Sequence, residues 1–279
     1  MSAAAWTGRL APSSAAEAAL KAAAGLWLLV AVLGQWAFVY YLAAFYGPSI
    51  ARGDFKAWNR NTFLIKGYVP GDTAGNLAFA AHALLAAVIA FGGAVQLIPQ
   101  IRTRALFIHR WNGRLFLLTA FGASASGLYM EWARGARINL GGAVAVSLNA
   151  ALIILFGGLA WRSALKREVS AHGRWALRTY LVANGVWFTR VGFMAWILVS
   201  RTLFGSGDRY DGGFFLLWSF GCYLLPLAVL ELYSRARESA GPGGRFAVAG
   251  GLVVLTLLMG VGIFGVATHM WWPLLGAPK

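Results

Sequence analysis

Two histidines, each followed closely by arginines, are the residues of this chain whose types and spacing best suit chemistry. His109 opens the stretch HRWNGR at 109–114, and His172 opens HGRWALR at 172–178. Two neutral imidazoles that face each other across a gap can bind a haem iron as axial ligands. Guanidinium groups match the geometry of carboxylates, including haem propionates. We therefore predict a haem-iron site at His109 and His172, with propionate-binding arginines nearby: Arg110, Arg114, Arg174 and Arg178.

The same two motifs have a plainer interpretation. Arginines are expected wherever membrane helices enter the cytoplasm, because positive charge is retained on that side. A histidine at such a position can simply hydrogen-bond a loop carbonyl or a lipid phosphate. The sequence alone leaves both interpretations open.

A second set of polar residues lies inside apolar segments, where an ionisable side chain is costly and normally faces the interior of a helix bundle. Arg190 follows His172 by 18 residues, which is five turns of a continuous helix, so the two would share one face about 27 Å apart. Gln96 follows His82 by 14 residues and points within about 40° of the same direction. We predict a polar seam of His82, Gln96 and Arg190 that serves a proton relay, an ion path, a redox cofactor or helix–helix hydrogen bonding.

The elements that must position these residues follow from composition. Of the 279 residues, 59% are hydrophobic and only 12% are charged, whereas soluble domains carry about 25% charged residues. The apolar residues cluster into runs near the roughly 20 residues that cross a bilayer. We predict an all-α, polytopic membrane bundle of about seven transmembrane helices. The seven segments are 24–46, 76–98, 106–129, 141–161, 175–199, 213–233 and 246–268.

Orientation and domain organisation follow from the basic residues. More of them lie on the cytoplasmic side when the N-terminus is placed inside and the C-terminus outside, as the positive-inside rule requires. Residues 1–23 are then a cytoplasmic N-terminal segment and 24–279 a single transmembrane domain. Residues 47–75 form an extracytoplasmic loop, rich in aromatic residues, that we expect to pack on the bundle. Residues 76–200 form a four-helix core.

Several function classes have no support in the sequence. The net charge of +15 is explained by cytoplasmic loops and anionic lipid headgroups, so we predict no nucleic-acid partner. The single cysteine, Cys222, cannot form an intramolecular disulfide. The sequence contains no glycine-rich phosphate loop, no nucleophile elbow and no cysteine cluster, so hydrolase or kinase chemistry of the soluble type is not indicated.

The combined order of five motifs resembles the bacterial multi-pass membrane family catalogued as domain of unknown function 2306. The resemblance covers about residues 60–200. It implies a multi-pass protein of the bacterial inner (cytoplasmic) membrane and leaves the chemistry open. The motifs are YVPGDTAGN at 68–76, His82, QLIPQIR at 96–102, and the stretches 109–114 and 172–178.

The chain is also distantly similar to transmembrane cytochromes b of the b-561 type. Those proteins hold two haems with four histidines on four consecutive helices, the first and third helices binding one haem and the second and fourth the other. This chain offers His82, His109 and His172 on spans two, three and five, whereas span four carries Ser147 and Asn149 instead. The similarity therefore implies at most one haem, between His109 and His172.

Three functions remain open from the sequence. The first is electron transfer through one b-type haem, with a quinone-like partner in the lipid bilayer. The second is a non-enzymatic accessory or structural subunit of a larger membrane complex. The third is a small-molecule or proton-coupled transporter that uses Arg190 and His82.

Overall fold

The apolar runs fold into helices in the computed structural model, which describes residues 14–61, 66–136, 139–204 and 212–276. These residues form ten α-helices, together with a 3₁₀ helix at Phe55–Arg60 and a π-helical turn at Ala267–Trp271, and this described part contains no strand. The α-helices are α1 (Ala15–Arg52), α2 (Thr73–Leu97), α3 (Pro99–Arg104), α4 (Leu106–Trp132), α5 (Leu140–Leu165), α6 (Val169–Ala183), α7 (Gly185–Phe204), α8 (Gly213–Ser239), α9 (Pro242–Val266) and α10 (Trp272–Gly276).

The predicted all-α membrane bundle is confirmed. Among the described residues, five helices are long and apolar enough to cross a bilayer: α1, α2, α5, α8, and α9 with its continuation to Gly276. The bent pair α6–α7 is a sixth candidate. Helix α4 has 27 residues and is long enough to span, although it is not among the six. The count of seven and the N-in, C-out orientation stay predictions.

The predicted span 175–199 is broken near its middle. Helices α6 and α7 meet at an angle of 54°, and Asn184 lies between them. The Asn184 side-chain amide donates to the Tyr180 carbonyl at 2.8 Å. Because the two helices run in different directions, counting 18 residues from His172 to Arg190 does not place them on one face. That step of the predicted seam was wrong.

Helix packing produces two apolar cores. The larger one involves all the long helices and contains many aromatic side chains, with α2 against α4, α5 against α6, and α9 against both α1 and α7. A smaller core joins the first turns of α1 to the end of α8 and the start of α9. It consists of Leu20, Ala23, Ala236, Ala249 and Leu252. Leucines such as Leu29 and Leu33 are exposed on the outside of α1, as expected for a lipid-facing surface.

The segment between α1 and α2 forms a cap over one end of the bundle, which we call the cap end. Trp58 is buried there, and its indole nitrogen donates to the Ser49 hydroxyl at 2.8 Å. The Asn59 side chain pairs with both backbone groups of Tyr68. The predicted loop began at residue 47, but α1 continues to Arg52. Residues 62–65 and, in the predicted N-terminal segment, 1–13 lie outside the described ranges.

An ion pair joins this cap to the last turn of α4. The Asp72 carboxylate accepts from the Arg134 Nε at 2.8 Å and also accepts from the Gly75 backbone N–H, which caps α2. Arg134 further donates to the Asn76 side chain at 3.0 Å. The Asn76 amide in turn pairs with the backbone of Val69. The motif at 68–76 therefore positions the cap through side-chain to backbone hydrogen bonds.

Candidate functional site

The two predicted ligand histidines lie together at the opposite end of the bundle, where α4 and α6 begin; we call this the histidine end. His109 is in the first turn of α4 and His172 in the first turn of α6. Their ring centroids are 6.5 Å apart and their ring planes are inclined by 82°. Gln96 lies beside them, since its amide donates to the His109 carbonyl at 2.8 Å. This bond ties the end of α2 to the start of α4.

The His172 ring is held in a defined orientation. Its Nδ1 lies 3.0 Å from the Ala160 carbonyl of α5. A carbonyl oxygen only accepts hydrogen bonds, so Nδ1 carries a hydrogen, and in a neutral ring the lone pair is then on Nε2. Histidines that bind metals are almost always oriented by such a bond from the other ring nitrogen. The neutral form of the His172 ring is therefore the tautomer that can bind a metal through Nε2.

The His109 ring carries an unmet hydrogen-bonding group. Its Nδ1 is buried and has no hydrogen-bond partner among the residues that the structure describes. A buried polar atom without a partner is uncommon and calls for an explanation, such as a ligand, an ion or a water molecule at that position. The unmet nitrogen belongs to the ring whose centroid is 6.5 Å from that of His172.

Two imidazoles are the protein donor set of a bis-histidine haem centre. Metal–imidazole bonds are roughly 2 Å long, so two nitrogens that share a metal ion lie about 4 Å apart. The 6.5 Å between the ring centroids is compatible with that spacing for rings whose nitrogens face each other. Among the described residues, no group of three or more His, Cys, Asp or Glu side chains could hold a metal ion. Two protein ligands suffice for a haem iron, because the macrocycle supplies the others.

The four predicted arginines do not behave alike. Arg110, Arg114 and Arg174 are exposed at the histidine end, and the Arg114 guanidinium lies 5.0 Å from the centroid of the Trp111 ring. Arg178 is more buried and forms an ion pair of 2.6 Å with Glu231 of α8. The charge of Arg178 is thus already balanced by a carboxylate of this chain. The sequence does not predict Glu231 as the partner of Arg178, because α6 and α8 come together only in the tertiary fold.

The remaining seam residues lie at the cap end. His82 of α2 approaches the Ala123 carbonyl and the Ser126 hydroxyl of α4 at 3.2 and 3.1 Å. The Arg190 guanidinium lies 5.6 Å from the centroid of the Phe38 ring. His82 and Arg190 both line a cavity of about 310 Å³. The seam is therefore divided, with Gln96 beside the paired histidines and the other two residues around this cavity.

The chain matches a known protein family. The family model described as "Predicted membrane protein (DUF2306)" matches residues 79–233, more than half of the 279 residues. The chain belongs to this family. The DUF2306 region runs from the second turn of α2 to the later turns of α8 and contains both the paired histidines and Arg190. No curated protein and no solved structure matches the chain.

Proposed function

We propose that this DUF2306 protein transfers electrons across or within the membrane through one b-type haem held by His109 and His172. One observation carries the proposal: two imidazoles from different helices lie 6.5 Å apart, and the ring of His172 is oriented by the Ala160 carbonyl. The resemblance to b-561-type cytochromes predicts the same pair. As part of this proposal, the protein resides in the bacterial cytoplasmic membrane, where a quinone exchanges electrons with it.

Each residue would have a defined task in that site. When bound, haem b supplies a one-electron iron couple. The Ala160 carbonyl holds the His172 ring and increases the basicity of its Nε2. Arg110, Arg114 and Arg174 offer guanidinium groups at the rim, where propionates emerge from haem sites. Arg178 acts indirectly, because its ion pair with Glu231 fixes α6 against α8.

Transport of a small molecule is the second candidate, favoured by the break between α6 and α7. Discontinuous helices line substrate sites in many transporters, because the backbone groups at the break are available to a ligand. Asn184 at the break lines the cavity at the cap end. The haem proposal is preferred because it is supported by two imidazoles from different helices whose ring centroids are 6.5 Å apart.

A reduced-minus-oxidised visible spectrum of the purified, detergent-solubilised protein tests the haem proposal. The protein is expressed with ample haem supply, as wild type and as His109→Ala and His172→Ala. We expect a sharp b-type α-band in the wild type that both substitutions abolish. His269→Ala is the matched control, because His269 is exposed beyond α9. A wild type without haem absorbance, or an α-band that survives both substitutions, would overturn the proposal.

A further inference from the structure

The cavity at the cap end is a separate feature from the paired histidines. It has a volume of about 310 Å³ and is lined by residues of α1, α2, α4, α5, α7 and α8. Ala120, on its lining, follows His109 by 11 residues on α4, which is about 16 Å along the helix axis. The volume lies at the lower end of the range of roughly 300–1,000 Å³ that small-molecule sites occupy.

Three residues on the lining carry polar atoms with unmet hydrogen-bonding capacity. The Tyr41 hydroxyl, the Asn149 Oδ1 and the Trp187 Nε1 are buried and have no hydrogen-bond partner in the described part of the chain. Tyr41 and Trp187 are 3% and 2% exposed. Such groups carry a desolvation cost, and the hydrocarbon region offers no bulk water to relieve it. Because all three atoms line the same cavity, a ligand bound there could supply their missing hydrogen-bond partners.

The chemistry of the three atoms defines what that ligand must offer. An indole N–H only donates, an amide oxygen only accepts, and a phenolic hydroxyl does both. The ligand therefore needs at least one acceptor for Trp187 and one donor for Asn149. A molecule with hydroxyl groups meets both requirements, a molecule with carbonyl groups alone meets only the first, and a plain hydrocarbon chain meets neither.

The charges and shape of the lining restrict the ligand further. Arg190 and Glu131 both line the cavity, so their formal charges offset each other, and both already interact with other groups of the chain. A charged ligand would add an uncompensated charge at depth, which is costly. Aromatic side chains, among them Phe38, Phe79 and Phe215, form much of the remaining surface. Flat rings pack well against such surfaces.

We propose that this cavity binds an uncharged ring molecule that carries hydroxyl groups, the class to which quinols belong. The cavity extends from the cap end to the middle of the bundle, and neither His109 nor His172 is part of its lining. The inference therefore does not depend on whether those histidines hold a haem.

Isothermal titration calorimetry on the purified protein in detergent tests the binding. The probes are ubiquinone-1, its quinol form and an alkylbenzene of similar size that lacks hydrogen-bonding groups. We expect saturable binding of the quinol, weaker binding of the quinone because it has no donor for Asn149, and at least tenfold weaker binding of the alkylbenzene than of the quinol. A wild type that binds all three equally, or none of them, would overturn the proposal.

Variants on two different helices connect the binding to the named atoms. Tyr41→Phe and Asn149→Leu should each weaken affinity about fivefold to tenfold, because each removes one hydrogen bond to the ligand. In the ligand-free protein the same substitutions should leave the melting temperature unchanged or raise it, because each removes an unmet buried polar group. A purely structural role would produce the reverse pattern, with lower stability and unchanged affinity.

Tyr40→Phe is the matched control, since Tyr40 is the neighbouring residue on α1 and is 62% exposed. It should change neither affinity nor melting temperature. If one cavity variant fails to fold, the other still decides the outcome, because Tyr41 and Asn149 lie on α1 and α5. Unchanged affinity in a folded Tyr41→Phe or Asn149→Leu would contradict the assignment of that atom to the site.

Discussion

Asp72 performs two structural tasks with one carboxylate. One oxygen accepts from the Gly75 N–H at the start of α2, and the other accepts from Arg134 at the end of α4. The side chain of Arg134 is only 7% exposed. A buried guanidinium without its carboxylate is strongly destabilising, because the charge loses its compensation and keeps its desolvation cost. The ion pair with Arg134 should therefore contribute more to the free energy of unfolding than the N-cap hydrogen bond to Gly75 does.

Two substitutions of Asp72 separate these tasks. Asp72→Asn keeps a good N-cap oxygen but removes the charge, so it should lower the free energy of unfolding by about 3 kcal/mol or more. Asp72→Ala removes both and should cost about 1 kcal/mol more. Equilibrium unfolding in mixed micelles measures both values.

Glu17→Gln is the control for an exposed ion pair. Glu17 lies 2.5 Å from Lys21 one turn along α1, and both side chains are well exposed. Exposed pairs of this kind contribute little to stability, because water and salt screen them. A loss for Asp72→Asn no larger than for Glu17→Gln would show that Arg134 does not depend on its carboxylate.

At the scale of residues, the sequence identifies polar side chains that lie inside the membrane segments, but it does not identify the residues that they contact. The cost of polar groups in a membrane singles out His82, Arg190 and Asn149, and all three line the cavity. The sequence does not single out Tyr41 and Trp187, because an aromatic residue in an apolar segment is usually an ordinary residue of the core. It does not predict the partner of Arg178 either, because α6 and α8 meet only through the tertiary fold.

At the scale of helices, the close packing of α9 against α7 depends on glycines of α9, and Gly262 makes the closest approach to backbone atoms. A Cβ atom built on Gly262 would lie within van der Waals overlap of the Val191 backbone carbonyl, at 2.1 Å. Backbone atoms cannot rotate away as a side chain can, so the two helices would have to separate. Small residues at such positions are what allow membrane helices to approach closely.

Gly262→Ala should therefore destabilise the protein by about 1–3 kcal/mol, the usual range for overpacking. Gly260→Ala on the same helix is the control, because nothing lies within 4 Å of its added Cβ. It should be neutral or slightly stabilising, since alanine is the better helix former. Thermal unfolding of the two variants in one detergent makes the comparison, and equal melting temperatures would contradict the close approach.

The helix bounds were largely predictable, whereas the bend was not. The predicted segment 141–161 lies within α5 (Leu140–Leu165), and 106–129 lies within α4 (Leu106–Trp132). Apolar run length carries this information directly, because the hydrocarbon thickness fixes it. No proline lies near Asn184, so the sequence does not predict a break in the helix there. Asn184 caps the end of α6 through its own side chain. An asparagine inside an apolar segment is only a weak predictor of such a helix end.

At the scale of the whole molecule, the two candidate sites occupy different parts of one bundle. The paired histidines are in the first turns of α4 and α6, and the cavity is lined by later residues of the same α4 and by α7. A ligand and a cofactor could thus be held at different depths of the membrane by the same helices. The orientation of the bundle decides which site is nearer the cytoplasm.

Cysteine labelling in whole cells tests that orientation. Cys222 is the only cysteine and is buried, so the wild type should give little background. Lys56→Cys at the cap end and Lys166→Cys at the histidine end are both exposed positions. With the N-terminus inside, a membrane-impermeant maleimide should label Lys56→Cys and should spare Lys166→Cys until the cells are opened. The reverse pattern would invert the topology.

The length of α1 has a consequence for the membrane itself. Its 38 residues span about 57 Å, nearly twice a hydrocarbon core of about 30 Å. The predicted apolar span 24–46 accounts for 23 of these residues, about 35 Å, which matches that thickness. Much of the remaining length is in the first turns, which carry the exposed Glu17 and Lys21 and are held to α8 and α9 by the smaller core around Leu20 and Leu252. These three helix ends therefore project beyond the hydrocarbon together, as a small folded unit at the membrane surface.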